Sequence, residues 1–315
     1  MNENTILKQL SEYIKYMRSL GFKLTHEEKA LENFAQYTLE RNYDGPLTNA
    51  IVLEWISTGG RSVKTMGRKI EVIRPFSKYV AAIDENAEVV SNRFFKNVHN
   101  RPTPYIYTEE EVVKLMDKCK NLYSPDGIRA KTVSTVIGLL WSTGMRPSEP
   151  VNLRISDVDF QNNVIHIRES KFTKERYIPI DDSVSDKLYE YKNFIGKTVG
   201  EQAPEAAFFY MTVGKPLTKR ALAHAFMLIR PCINAHPTGY PAVRLYDFRH
   251  TMACNTIRRW SELGMDVNSY LYILSTYLGH VKPQDTYWYL SATPEMLELS
   301  CSRYEAMFGG IENEN

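Results

Sequence analysis

Cysteine is scarce in this sequence, with four residues among 315, and no two of them form a Cys-x-x-Cys pair. That spacing argues against a zinc site and is typical of reduced thiols inside a cell. Apolar runs are also short, because no stretch approaches the roughly 18 consecutive apolar residues of a membrane-spanning helix. The first residues lack the basic and apolar regions of a signal peptide. We therefore expect a cytoplasmic protein.

A large excess of one charge sign is missing as well. The chain has 39 Lys and Arg against 37 Asp and Glu, which gives a formal net charge of +2 at pH 7. Any nucleic-acid surface must therefore come from local clusters of basic residues. The 43% hydrophobic and 24% charged residues are typical of a soluble globular protein. The length suffices for two domains that each bury a core.

Motifs for metal ions and nucleotides are absent too. No His-Glu-x-x-His sequence or other cluster with metal-ligand spacing occurs. One stretch, Gly196-Lys197-Thr198, partly matches a phosphate-binding loop, but Tyr191 stands where such a loop needs a glycine. We therefore expect an activity that needs no cofactor.

The pattern of apolar residues and prolines divides the chain. Residues 1–96 have helical periodicity throughout and predict an all-α domain. A polar stretch with two prolines, 97–107, predicts a linker, after which Thr108 begins a capping box. The second domain is predicted over 108–308, and 309–315 is predicted to be a flexible tail.

One helix of the first domain, predicted from Arg61 to Tyr79, is amphipathic and basic, and we expect Pro75 to kink or end it. Such a helix lies along a phosphate backbone, enters a major groove, or simply exposes a solvated charged face; the sequence leaves these alternatives open. Its candidate DNA contacts are Arg61, Lys64, Arg68 and Lys69.

The second domain mixes helices with a few short strands. A helix is predicted to stop at Thr143-Gly144, and helices return from Thr218 onward. Between them, strand-like runs at 158–160, 164–167 and 177–180 predict a three-stranded antiparallel sheet. The expected fold class is mainly α with a small antiparallel sheet, preceded by an all-α domain.

An arginine, a histidine and a late tyrosine stand in the last quarter of the chain. Arg249 lies in Tyr246-Asp247-Phe248-Arg249-His250-Thr251, His280 follows Leu278-Gly279, and Tyr289 comes nine residues later. Arg249 and the earlier Arg146 together can clamp a phosphate bidentately. A tyrosine hydroxyl can form a covalent intermediate, and a lysine such as Lys171 can protonate a leaving oxygen. These residue types suit attack on a phosphodiester without a metal ion.

Four motifs carry a family resemblance. They are Thr143-Gly144-Met145-Arg146-Pro147-Ser148-Glu149, Ser170-Lys171-Phe172-Thr173-Lys174-Glu175-Arg176, Asp247-Phe248-Arg249-His250-Thr251, and Leu278-Gly279-His280 with Tyr289. In this order they resemble the motifs of the tyrosine recombinases, also called the phage integrase family. The resemblance covers about residues 107–305, and the N-terminal helices resemble that family's core-binding domain. It implies an α+β catalytic domain of the DNA breaking-rejoining type, preceded by a DNA-binding domain.

The resemblance also implies roles for individual residues. Arg146 and Arg249 would clamp the scissile phosphate, and Glu149 would orient Arg146. His280 would contact the same phosphate. Lys171 would be the proton donor, with Lys174 as the alternative. Tyr289 would be the nucleophile, with Tyr287 as the second choice.

One position departs from the family pattern. The family usually has a histidine where this chain has Tyr246. A phenol can donate one hydrogen bond to a phosphate oxygen, but its pKa of about 10 makes it a poor base at neutral pH. We expect the adjacent His250 to pack or hydrogen-bond structurally.

The function that the resemblance implies is site-specific DNA recombination through a 3′-phosphotyrosine intermediate. Its partners would be duplex DNA, contacted also by Lys219 and Arg220, and three further copies of the chain in a tetramer on two duplexes. The final helix, from Thr293 to about Phe308, would dock on a neighbouring copy or fold back on its own core. Several biological outcomes stay open, namely integration, excision or transposition of a mobile element and chromosome-dimer resolution. Accessory recombination or transposition proteins also stay open. Two alternatives also stay open: a type IB topoisomerase, and a non-catalytic DNA-binding protein with a decayed site.

Overall fold

The structure of the chain, a computed structural model, describes residues 5–24, 26–58, 62–91, 93–95, 103–168, 175–235, 237, 240, 242–292 and 294–298. It divides into two compact units, Met1–Arg101 and Pro102–Asn315. The predicted fold class is confirmed: the first unit is helical where described, and the second adds small antiparallel sheets to a mainly helical body.

The first unit contains four helices in its described part. They are α1 (Thr5–Ser19), α2 (Glu27–Glu40), α3 (Asn49–Ser57) and α4 (Val63–Ala81). Each contributes apolar side chains to one core, in which the rings of Phe34 and Trp55 meet edge to face with centroids 5.2 Å apart. The buried indole N–H donates to Asn33 Oδ1 at 3.0 Å, so its polar end is satisfied.

Helix α4 runs through Pro75 instead of ending there. Ser62 caps its N-terminus by accepting a hydrogen bond from the backbone N–H of Thr65 at 3.3 Å. Ile73 and Phe76 lie on either side of the proline, and both are buried in the core of the unit. This packing maintains the helix although proline removes one backbone hydrogen bond. Of the two alternatives, that Pro75 kinks the helix or ends it, the second is therefore wrong.

The second unit is assembled around one buried helix. It begins with α5 (Glu109–Lys118), α6 (Ile128–Thr143) and the short α7 (Glu149–Asn152). The predicted capping box is present, since Thr108 and Glu111 exchange backbone and side-chain hydrogen bonds. Helix α6 packs against α5 and against two later helices, which span Asp182–Val199 and Asp247–Glu262. It ends as predicted at Gly144, whose φ of +60° favours glycine.

Three short strands form the predicted antiparallel sheet. They are β1 (Val158–Asp159), β2 (Val164–Ile167) and β3 (Arg176–Pro179), in the order β1-β2-β3. Ile165 on the central strand pairs with Val158 on one side and Ile178 on the other, and all three are buried. The prediction of an antiparallel sheet is therefore confirmed, with β3 beginning one residue earlier than expected.

Two further elements between residues 182 and 216 went unpredicted. Helix α8 (Asp182–Val199) buries Leu188, Tyr191 and Ile195 at helical spacing and includes the Gly196-Lys197-Thr198 stretch. It is followed by a two-stranded ladder, β4 (Tyr210–Thr212) and β5 (Lys215–Pro216).

The last part of the second unit is helical and carries the late motifs. It comprises α9 (Lys219–Ile229), α10 (Asp247–Glu262), α11 (Val267–Leu278), α12 (Gln284–Tyr287) and a 3-10 turn at Trp288–Ser291. Helices α10 and α11 share an apolar cluster with the side chains of Tyr289, Ala292 and Met296. Residues 294–298 begin the predicted final helix, the rest of which lies outside the described residues.

Candidate active site

The second arginine of the motif lies at the start of α10. Tyr246 is the residue before the helix, and Asp247 in the first turn pairs with Arg244 at 2.5 Å. A carboxylate at this end of a helix is favourable because it faces the positive end of the helix dipole. Arg249 is the third residue of α10, also in its first turn, and has 0% exposure.

Arg249 is held by backbone carbonyls on two sides. Its Nη1 donates to Gly144 at 3.1 Å and its Nη2 to Leu278 at 2.5 Å. Its Nε is buried, and no described atom accepts a hydrogen bond from it. Burial lowers the pKa of Arg249, and the nearby charge of Arg146 adds to this decrease. A buried cation with a spare donor is suited to receive an anion.

Arg146 lies in the turn between α6 and α7, where the stop at Gly144 leads into the short helix. Its Nη1 donates to Glu149 Oε1 at 3.1 Å, and its backbone N–H donates to Glu149 Oε2 at 2.7 Å. Its Nη2 donates to the carbonyl of Gly279 at 2.9 Å. Arg146 also lines a cleft of about 910 Å³ that includes Lys219.

A third arginine, Arg176, joins this group, although the family resemblance implies no role for it. Its Nη1 and Nη2 donate to the two carboxylate oxygens of Glu149, each at 2.8 Å, and its Nε donates to the carbonyl of Tyr277 at 2.9 Å. The only signal in the sequence was its place in the Lys174-Glu175-Arg176 run. Burial alone would raise the pKa of Glu149, but the hydrogen bonds and charges of Arg176 and Arg146 hold it below its ordinary value.

Three successive carbonyls at the C-terminal end of α11 thus accept from three different arginines. Tyr277 accepts from Arg176, Leu278 from Arg249, and Gly279 from Arg146. The last carbonyls of a helix have no partner within the helix and carry the negative end of its dipole, so they attract cations. The end of α11 therefore gathers three guanidinium groups at one place. We call these three carbonyls the α11 carbonyl cluster.

His280 follows this cluster directly, in a turn that Gly279 permits. Gly279 has a φ of +65°, and a Cβ there would meet Arg176 Cδ at 3.1 Å. The imidazole Nδ1 of His280 lies 2.6 Å from the hydroxyl of the buried Thr286, which fixes the ring. That ring lies nearly parallel to the ring of Tyr289, with centroids 6.3 Å apart.

Tyr289 lies near Arg249. It is 2% exposed, in the 3-10 turn after α12. Burial raises its pKa, and the positive charge of Arg249 offsets part of this rise. Tyr287, the second choice for nucleophile, is 50% exposed.

Tyr246 and His250 complete the surroundings of Tyr289. Tyr246 is 39% exposed, and its ring meets the imidazole of His250 edge on, at 5.0 Å between centroids. The ring of His250 also contacts Trp288 and Tyr289, at 5.2 and 5.7 Å. The phenol of Tyr246 lies near enough to Arg249 and Tyr289 to influence the pKa of both.

The candidate DNA contacts have varied environments. Lys219 and Arg220 are exposed in the first turn of α9, and Arg68 is exposed on α4. Lys64 is half-buried on α4. The ammonium of Lys69 lies 4.0 Å from the ring centroid of Trp55, a cation–π contact that directs it toward its own unit. Arg61, Lys171 and Lys174 lie outside the described residues.

Within the part of the chain that the structure describes, no group of three or more His, Cys, Asp or Glu side chains is arranged to hold a metal ion. None of the helices seen there combines the length and the apolar character that crossing a membrane requires.

Comparisons with known proteins agree with these motifs. A family model described as the phage integrase family matches residues 106–296. The protein y4rB of Sinorhizobium fredii (strain NBRC 101917 / NGR234), named as an integrase/recombinase, is 32% identical over 307 residues, which cover 96% of this chain and 98% of that protein.

Two solved structures share the fold. The Tn1549 transposon integrase in complex with a circular intermediate DNA superposes with a TM-score of 0.65 at 18% identity, covering 96% of this chain and 100% of that one. A lambda integrase tetramer bound to a Holliday junction gives a TM-score of 0.61 at 15% identity, covering 90% of this chain and 79% of that one. At such identities the likeness concerns the fold alone.

Proposed function

Because the chain belongs to the phage integrase family and is a site-specific tyrosine recombinase, we propose that it cleaves and rejoins DNA through a 3′-phosphotyrosine on Tyr289. The observation that carries this proposal is the meeting of Arg146, Arg249, His280 and Tyr289 at the end of α11, where Arg249 retains a buried donor. Two cations and a phenol at one place form the charge arrangement that phosphodiester cleavage needs.

In the proposed reaction, the phenol of Tyr289 gives its proton to water, and its oxygen forms a bond to phosphorus while the bond from phosphorus to the 5′ oxygen breaks. Arg146 and Arg249 stabilise the charge on the non-bridging oxygens. Arg249 Nε, which donates to no described protein atom, supplies a hydrogen bond to one of these oxygens. Lys171 gives its proton to the leaving 5′ oxygen. The products are a 3′-phosphotyrosine and a free 5′ hydroxyl, and rejoining reverses each step without ATP.

Access to this site requires a local rearrangement. Tyr289 and Arg249 are nearly inaccessible in the free chain, so a phosphate reaches them only after neighbouring side chains move aside. His280 would then contact the phosphate, and the more exposed Tyr246 would donate one hydrogen bond to an oxygen of that phosphate.

The DNA surfaces follow from the exposed cations. We propose that Lys219 and Arg220 contact backbone phosphates beside the cleft that Arg146 lines. On the first unit, Arg61, Lys64 and Arg68 are proposed contacts, and Lys69 is the weakest member of that set because Trp55 holds its ammonium. Such contacts provide affinity, and contacts to base edges would set the site.

The working assembly is proposed to be a tetramer on two duplexes, acting in the cytoplasm on a mobile element that it integrates, excises or transposes. The fold likeness to a tetramer bound to a Holliday junction supports this arrangement. In the tetramer, the final helix would dock on the neighbouring copy. Accessory recombination or transposition proteins would then select among these outcomes.

The test begins with a pool of nicked duplexes that carry a randomised core, from which DNA that becomes covalently attached to the wild-type protein is recovered and sequenced. We expect a covalent adduct from the wild type and from Tyr287→Phe, and none from Tyr289→Phe. An adduct that survives Tyr289→Phe contradicts the assigned nucleophile. Absence of any wild-type adduct, with DNA binding intact, favours a non-catalytic DNA-binding protein. Plasmid relaxation without recombinant products favours a topoisomerase.

A further inference from the structure

Arg176, which donates to the first carbonyl of the α11 carbonyl cluster, has a role of its own in this site. We propose that Arg176 is a positioning residue, which holds Glu149 so that Arg146 keeps both its orientation and its positive charge for the scissile phosphate. The inference rests on the proposed function, since it concerns the same phosphate.

The contacts of Arg176 leave it little freedom. All three of its side-chain nitrogens donate hydrogen bonds, two to Glu149 and one to the carbonyl of Tyr277. The side chains of Arg176 and Glu149 are 9% and 5% exposed, so the pair is shielded from solvent. A bidentate arginine–carboxylate pair in such a place has a defined geometry. Arg176 therefore acts through Glu149 and needs no contact with the phosphate.

Glu149 is shared between two arginines. Its Oε1 accepts from Arg176 Nη1 at 2.8 Å and from Arg146 Nη1 at 3.1 Å. With Arg176 present, the three side chains carry a net charge of +1, from two cations and one anion. Without it they carry none, and the carboxylate beside Arg146 would repel an incoming phosphate. Arg176 thus offsets the charge of the residue that orients Arg146.

The surrounding backbone is adapted to Arg176. Arg176 begins β3, and its guanidinium reaches across to the end of α11, 101 residues later in the chain. Gly279 lies against it, and a Cβ at that position would come within 3.1 Å of Arg176 Cδ. One side chain therefore connects the sheet, the Arg146 turn and the backbone that precedes His280.

The experiment compares two scissile groups in a pre-bound suicide duplex. One duplex carries the natural phosphodiester, and the other carries a methylphosphonate, which has no negative charge at that position. For Arg176→Ala we expect the cleavage rate to fall about 100-fold on the phosphodiester and less than about 5-fold on the methylphosphonate. The difference arises because the neutral group has no charge for Arg146 to stabilise. A merely structural role would lower both rates equally.

Two further variants make the comparison secure. Arg176→Lys keeps the positive charge but loses the two-pronged contact with Glu149, so we expect a loss of about 10-fold on the phosphodiester. If Arg176→Ala does not fold, the cleavage rates on the two duplexes are compared for Arg176→Lys instead. Arg258→Ala removes an exposed arginine on α10 that pairs with Glu262, and it should cleave both duplexes as the wild type does. Non-covalent binding of an uncleavable duplex verifies that each variant is folded.

The outcomes separate this inference from the proposed function. A wild-type protein that forms no adduct on the phosphodiester contradicts the proposed function. A wild type that cleaves, together with an Arg176→Ala variant that cleaves within about 2-fold of it, overturns only the role of Arg176. Equal losses on both duplexes, in Arg176→Ala or Arg176→Lys, overturn that role as well.

Discussion

Glu149 accepts four hydrogen bonds from two arginines in a buried position. Removing a charge from water is costly, and a buried carboxylate is retained only when its partners satisfy it. Here both oxygens are satisfied, and the result is a carboxylate that stays ionised despite its burial. Glu149 thus fixes the position of Arg146 through hydrogen bonds to its backbone and its side chain.

The pH dependence of stability follows from that carboxylate. Because the pKa of Glu149 in the folded chain lies below its ordinary value of 4.5, its contribution to stability is present above that value. It is lost as the pH falls through the folded value. We expect Glu149→Gln to lower the free energy of unfolding by about 3 kcal/mol at pH 7, because two half-buried arginines lose their counter-charge.

Chemical denaturation at pH 7 and pH 3.5 checks this prediction. The difference between wild type and Glu149→Gln should shrink at the lower pH, because pH 3.5 lies below the ordinary value of 4.5 and the carboxyl of the unfolded chain is then largely protonated. Glu190→Gln is the matched control, because Glu190 forms an exposed pair with Lys187, and it should change little at either pH. A difference that stays constant with pH would contradict the assigned ionisation.

At the level of single elements, the end of α11 organises the site. Its last carbonyls bind Arg176, Arg249 and Arg146 in turn, and the chain then turns through Gly279 to present His280. The arginines come from β3, α10 and the turn after α6, so these three elements meet at the end of α11. The geometry of the site therefore depends on the conformation of a single glycine.

Substituting that glycine tests the arrangement. Gly279→Ala adds left-handed strain and a Cβ 3.1 Å from Arg176 Cδ, whereas Gly264→Ala adds the same strain in open space, at φ +69°. We expect each to cost about 1 kcal/mol of stability from backbone strain. Gly279→Ala should also reduce adduct formation about 10-fold or more by displacing the α11 carbonyl cluster.

Thermal denaturation and the suicide-duplex assay, run on both glycine variants, distinguish strain from displacement. Gly264→Ala should cleave DNA at the wild-type rate. If the two variants lose activity equally, the close approach of Gly279 to Arg176 has no part in the chemistry.

For the whole molecule, the near-neutral net charge means that DNA binding depends on where the cations lie. Lys219 and Arg220 are exposed, and Lys219 lines the cleft that Arg146 also lines. Each phosphate contact releases counterions, so contacts appear in the salt dependence of binding. The number of phosphates that this surface neutralises is therefore measurable without knowledge of the base contacts.

The paired variant Lys219→Ala/Arg220→Ala measures that number. We expect the slope of log K against log salt concentration to decrease in magnitude by about 2, since each contact contributes about 0.9. Lys187→Ala, which removes an exposed lysine from α8, should leave the slope unchanged. A slope that does not change in the paired variant would place the DNA on another face of the second unit.

The sequence predicted much of this fold but little of how the site is held. Helix ends with local signals, such as the Thr108 capping box and Gly144, were predicted because their hydrogen bonds join near neighbours. The strands β4 and β5 are three and two residues long, too short to show alternation.

The role of Arg176 was invisible in the sequence for a different reason. Its partners are 27 residues away at Glu149 and 101 residues away at Tyr277, and no local pattern reports such contacts. The motif residues Arg146, Arg249, His280 and Tyr289 were recognisable by type and spacing. The carbonyls that hold the arginines are backbone groups, which any residue could supply.

The central claim is that the phenol of Tyr289 becomes linked to the 3′ end of the cleaved strand. The most direct measurement is mass spectrometry of peptides from the covalent adduct, after nuclease trimming of the attached DNA. We expect the peptide that contains Tyr289 to carry the added mass of a nucleotide. Its fragment ions should assign that mass to Tyr289, and the DNA should be attached through its 3′ end. Nucleotide mass on Tyr287, Tyr246 or any other residue would contradict it.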